Sequence, residues 1–175
     1  MTDLPPKEDL ATLTGPTTLV IKRWLPARPE RVWAYLTDSE LRRKWLASGD
    51  MAPATGSPFT LTWRNDELSP GVPAPEGHEG GNTMESEILV WDEPRRLEFK
   101  WGDGTVTFEL EPKGEKTLLT LTHTGIATRS GKVGISAGWH AHLDLLRANT
   151  AGQPHAPFWA RYGILQDMYE GRMPE

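Results

Sequence analysis

Apolar and polar positions along this chain follow two different periods, and the switch between them divides it. Residues 18–25 (TLVIKRWL) are rich in β-forming side chains and predict a first strand. Pro29 suits the first turn of a helix, and Val32, Trp33 and Leu36 follow at helical spacing. In TDSELRRKWL the Thr/Asp/Ser opening supplies capping candidates, and Leu41 and Trp45 lie one turn apart, so a second short helix is expected. From residue 57 the period becomes two. Phe59, Leu61 and Trp63 alternate with threonines, and Leu97, Phe99 and Trp101 with Glu98 and Lys100. Val106, Phe108 and Leu110 then alternate with Thr107 and Glu109, and Leu119, Leu121 and His123 with Thr120 and Thr122. Turn signals at 92–94, 102–104 and 113–116 join these segments. One apolar face per strand predicts an antiparallel sheet that is wet on its other side.

Near residue 133 the period changes again. Ile135, Trp139, Leu143 and Leu146 make one apolar stripe on a helix that should end near Gly152, with a length of about 25–30 Å. The tail places Phe158, Tyr162, Leu165 and Tyr169 on one side of a further short helix. Residues 1–16 are polar and broken by prolines and read as a flexible arm. Residues 65–82, crowded with Pro and Gly, read as a long loop. The expected organisation is therefore an arm (1–16), one α+β domain (17–152) and a C-terminal extension (153–175). Only the long helix is large enough to cover the apolar face of the sheet. A curved sheet gripping one helix cannot close tightly along its whole length, which leaves a space where ligands bind.

Composition narrows the function. With 175 residues, 37% of them hydrophobic and 25% charged, the chain is long enough for one domain with its own core. A net charge of -5 argues against broad nucleic-acid or anionic-membrane binding. The absence of cysteine excludes disulfides, thiol nucleophiles and thiolate metal sites. No run approaches the roughly 20 apolar residues of a membrane helix, and the N-terminus does not read as a signal peptide, so a soluble cytoplasmic protein without membrane insertion is expected. The eight tryptophans outnumber Phe (4) and Tyr (3) together. Tryptophan suits cavity walls as well as cores.

PARPERVWAYLTDSELRRKWL, VWDEPRRLEFKW, TVTFELEPKGEKTLLTLTHTGI and GWHAHLDLL occur here in a fixed order. In this order the chain resembles the heat-shock protein 90 ATPase activator-like branch of the START-related (SRPBCC, helix-grip) superfamily, over about residues 17–151. The resemblance implies a curved antiparallel sheet wrapped around a long C-terminal helix, with two short helices after the first strand. It departs from simpler members in the Pro/Gly loop and the tail, both of which would reshape the pocket mouth. The superfamily hosts lipid carriers, receptors, cyclases and hydrolases, so the fold does not fix the function.

The candidate site follows from which side chains should face the helix. Trp63, Trp101 and Trp139 are expected to converge on one cavity and to stack a flat apolar ligand. Phe99, Phe108 and Leu121 from the strands, with Leu143 and Leu146 from the helix, would complete its apolar wall. Gly134 and Gly138 weaken the helix by up to about 1 kcal/mol each. Lacking Cβ, they would let its backbone approach the sheet closely while Trp139 lies flat as a wall; alternatively Gly138 marks a ragged first turn. His123 shares the side of Leu119 and Leu121, and is either a ligand's hydrogen-bond partner or a satisfied interior histidine. His140 and His142 are two apart on a helix and face different ways, with His142 nearer the apolar stripe, which opposes a shared metal site. If Leu89 and Trp91 point inward, so do Glu85 and Glu87; if Ile88 and Val90 do, both acids are in water. The resemblance puts Trp91 inward, and with it Glu87 as a ligand-orienting acid. Arg23, Arg95 and Arg96 read as surface charges. No nucleophile elbow, phosphate loop, metal set or cofactor motif is present.

Three functions are weighed. The first is binding of a small hydrophobic or aromatic molecule, in a stress-response role if the family name transfers. The second is a cyclase or hydrolase using His123, Glu85 or Glu87. The third is an interaction module of chaperone-partner type, with Phe158, Trp159, Tyr162 and Leu165 either packing back on the domain or forming a homodimer contact.

Overall fold

The computed structural model describes residues 4–174. Its elements, in chain order, are β1 (Thr12–Leu13), β2 (Leu19–Leu25), α1 (Pro29–Thr37), α2 (Ser39–Arg42), β3 (Pro58–Trp63), β4 (Asn82–Asp92), β5 (Arg96–Trp101), β6 (Gly104–Lys113), β7 (Lys116–His123), α3 (Arg129–Ala151) and α4 (Phe158–Glu170). All neighbouring strands pair antiparallel in the order β1-β2-β7-β6-β5-β4-β3. The alternation of apolar and polar residues puts one face of this sheet under α3, and the chain has the α+β helix-grip architecture.

Local chemistry sets the ends of α3. The Thr128 hydroxyl accepts the Gly131 N–H at 3.0 Å, so the helix starts at Arg129, six residues before the apolar stripe begins at Ile135. Gly152, at φ 67°, closes it in the left-handed conformation. The second short helix is a single turn. It is fixed by Arg42, a buried cation that donates to the carbonyls of Leu36, Thr37, Ala47 and Gly49 and so ties α1, α2 and the following chain together.

Residues 9–13 are not a loose arm; residues 1–3 of the expected arm lie outside the described residues. Asp9 is only 3% exposed, Thr12 and Leu13 pair with Val20 and Leu19, and the Ala11 N–H donates to the Tyr169 hydroxyl at 2.8 Å. The cause is Arg23, which is 1% exposed rather than a surface charge. It points under α3 and needs counter-charges there. Asp9 (3.3 Å) and Asp144 (3.2 Å) supply them, and Arg147 and Arg161 complete the network. Burial lowers the Arg23 pKa, and Asp144 and Asp9 oppose that shift.

The parity question of β4 is answered by a bulge. Ile88 pairs with Phe99, but Val90 pairs with Glu98, so the register shifts between them. Ile88 and Trp91 therefore both face inward, and Trp91 packs edge-on against Trp33 at 5.2 Å. Glu85 and Glu87 lie before the bulge and face the outer side. Glu87, expected to orient a ligand, instead approaches Lys100 Nζ at 3.6 Å on that outer face.

The middle of the grip is solid. Phe99, Phe108, Leu121, Leu143 and Leu146 are all fully or almost fully buried, and Trp45 and Trp139 pack edge-on against Phe108 at 6.3 and 5.8 Å. These five side chains, expected as cavity wall, are core. The open space lies at one end, between the rim of β3 and β5 and the first half of α3.

Candidate functional site

Trp63 ends β3 and Trp101 ends β5, and period two turns both toward α3. Trp139 comes down from α3 to meet them. The ring centroids of Trp63 and Trp101 are 5.3 Å apart, and those of Trp101 and Trp139 also 5.3 Å. Between them and the helix is a cleft of about 160 Å³, completed by Leu46, Gly134, Ile135, Gly138 and His142. The glycines do not mediate close packing. A Cβ on Gly138 would meet nothing within 4 Å, and one on Gly134 only the Tyr162 hydroxyl at 3.7 Å. What the missing side chains leave is the cleft itself, so the helix gives up propensity to keep its wall bare.

Hydrogen bonds hold the walls in place. Trp139 Nε1 donates to His123 Nδ1 at 2.9 Å, which fixes the indole plane, and His123 packs edge-on against Trp101 at 5.2 Å. His123 is thus a satisfied interior histidine that positions Trp139. Burial lowers its pKa to about 4, so the ring is neutral and Nδ1 is free to accept. His140 and His142 diverge on the helix. His140 Nδ1 pairs with the Tyr169 hydroxyl at 2.7 Å, away from the cleft. His142 Nδ1 donates to the Trp45 carbonyl at 2.7 Å, and its ring lies 4.4 Å from that of Phe158. Burial lowers the His142 pKa to about 4 as well.

A second cavity, about 610 Å³, opens beyond the first. Trp63, Trp101 and His142 line both. Its outer wall is the Pro/Gly loop, held by α4: Trp159 Nε1 donates to Asp66 Oδ1 at 2.8 Å, its backbone N–H donates to the Ser69 hydroxyl at 3.0 Å, and His78 lies 5.6 Å from the Trp159 ring. The walls here are polar, with Asn65, His78, Glu79 and Asn82. The tail side chains Phe158, Trp159, Tyr162 and Leu165 are buried within the chain, so these four offer no patch for the homodimer contact that their pattern allowed. Leu46, Asn65 and Trp159 line these cavities without a signal of their own in the sequence, beyond the unusual loop and tail that carry Asn65 and Trp159.

A seven-stranded antiparallel sheet gripping one long helix, with an aromatic cleft at its open end, defines a helix-grip protein. Residues 26–151 match the family model "Activator of Hsp90 ATPase homolog 1-like protein", and the chain belongs to that family. It is similar to a Bordetella parapertussis protein solved by solution NMR, with 34% identity, a TM-score of 0.79, and coverage of 93% of this chain and 89% of that one. CalU16 from Micromonospora echinospora is similar at 23% identity and TM-score 0.63, covering 88% of this chain and 84% of its own. A conserved protein of unknown function from Enterococcus faecalis is similar at 18% identity and TM-score 0.67, covering 94% and 89%. The last two likenesses show the fold alone. No curated protein matches the chain. Among the described residues, no helix is long and apolar enough to cross a membrane.

Proposed function

We propose that this protein binds a small hydrophobic molecule, one aromatic ring of which enters the cleft between Trp63, Trp101 and Trp139. The observation that carries this reading is the bare helix wall: Gly134 and Gly138 line the cleft, and a Cβ on Gly138 would meet nothing within 4 Å. A cleft of about 160 Å³ is of the size that holds one benzene-like ring. Burial of apolar area would drive binding at roughly 25 cal/mol per Å² before the costs of association. The interaction-module reading loses its support, because the tail side chains it needs are inside the molecule. The reading as a cyclase or hydrolase loses its residues, with both glutamates outside and His123 engaged by Trp139.

Calorimetric titration with one- and two-ring aromatic compounds tests the proposal. Wild type should bind, and Gly138→Leu, which projects its side chain into the cleft, should keep its circular dichroism and lose at least tenfold in affinity. Equal affinity of the two proteins, or no binding by wild type, would contradict the reading.

A further inference from the structure

We infer that the ligand is a neutral hydroxylated aromatic, its ring in the tryptophan cleft and its hydroxyl donating to His142 Nε2. This rests on the reading of the cleft as a receptacle. His142 stands where the small cavity meets the large one and lines both. A backbone carbonyl only accepts, so the 2.7 Å contact to the Trp45 carbonyl puts the proton on Nδ1. Nε2 is left with a lone pair. The tautomer is set by the fold, before any ligand arrives. Phe158 covers the imidazole at 4.4 Å and keeps the ring from swinging away.

An acceptor beside an apolar slot selects a ligand that brings a donor. The charge around it says which kind. Among the described residues, none that lines the small cavity is charged, and the one carboxylate or cation lining the large cavity is Glu79. At the junction an aromatic carboxylate would meet the His142 lone pair, and no Lys or Arg among the described lining residues to pair with. A neutral O–H meets what it needs. The junction therefore favours a ring that carries a neutral hydroxyl. Sites built around a hydrogen bond to a substrate hydroxyl reject analogues that lack it, because a buried polar group is then left unpaired.

The test compares 2-naphthol with 2-methoxynaphthalene, which differ in the donor, by calorimetry on the full chain. Wild type should prefer 2-naphthol by about five- to tenfold. His142→Phe should erase that preference while still binding 2-methoxynaphthalene. Should that variant misfold, the ¹⁵N resonance of His142 Nε2 in wild type serves instead: it should move upfield with 2-naphthol and stay in place with the ether. Equal binding of the two compounds by wild type, a preference that survives in His142→Phe, or an unmoved Nε2 resonance overturns the inference and leaves the receptacle standing. Binding of neither compound overturns both.

Discussion

Gly138 costs α3 helix propensity and leaves open space beside the backbone at the cleft. Its helix penalty was visible in the sequence, but the close approach to the sheet expected from it does not occur; the glycine faces open space. Gly138→Ala should therefore raise stability by about 0.5–1 kcal/mol, since the added methyl touches nothing and the helix gains propensity. Urea denaturation reads this directly, and a destabilised variant would mean that the backbone there is closely packed after all. His123 and Trp139 were legible as inward-facing from period alone. Their hydrogen bond was not, because it joins a strand and a helix and depends on the depth of each. Glu87 was misplaced for a different reason. A bulge changes parity without a signature in the run ESEILVW, and the family resemblance, which correctly turned Trp91 inward, carried the glutamate with it.

At the scale of elements, strands β2, β3, β5, β6 and β7 and helices α1, α3 and α4 were legible from their apolar faces, and β4 as a strand although its bulge breaks the alternation. The two-residue β1 was not, because so short a strand has no period. What holds it is Asp9, a charge whose partners lie at residues 23 and 147. Replacing Asp9 with Ala leaves Arg23 buried with Asp144 as its remaining ion partner, and should cost on the order of 2–3 kcal/mol. The same change should free the N-terminal strand, seen as faster hydrogen exchange at Ala11, whose N–H is held by Tyr169. An Ala11 amide exchanging as slowly as in wild type would show that the strand is held without Asp9. The Pro/Gly loop and α4 each stand out in the sequence. That Asp66 and Trp159 join them is not legible there, because nothing in either segment names the other.

For the molecule as a whole, three buried histidines give a pH dependence of defined sign. Burial lowers the pKa of His123 and His142 to about 4; for His140 burial acts first and the Arg23 charge adds to it, giving about 2. In the unfolded chain each titrates near pH 6.5. Between these values the unfolded state binds more protons, so stability is full above pH 6.5 and falls as the pH drops toward 4. From pH 7.5 to 5.5 the loss should be about 1 kcal/mol per histidine, read from urea midpoints. A flat profile over that range would mean that the rings are hydrated in the native state.

The grip architecture itself was predictable because it follows from a sheet with one apolar face and a single helix able to cover it. The extent of its hollow was not, since only packing decides that Phe99, Phe108 and Leu121 fill the centre while the tryptophans leave the end open. The indole N–H resonances of the eight tryptophans report on that open end most directly. On titration with 2-naphthol or 2-methoxynaphthalene, the signals of Trp63, Trp101 and Trp139 should shift while those of Trp24 and Trp33 stay fixed. Shifts confined to Trp24 and Trp33, or no shift in any of the eight, would contradict a binding cleft at this site.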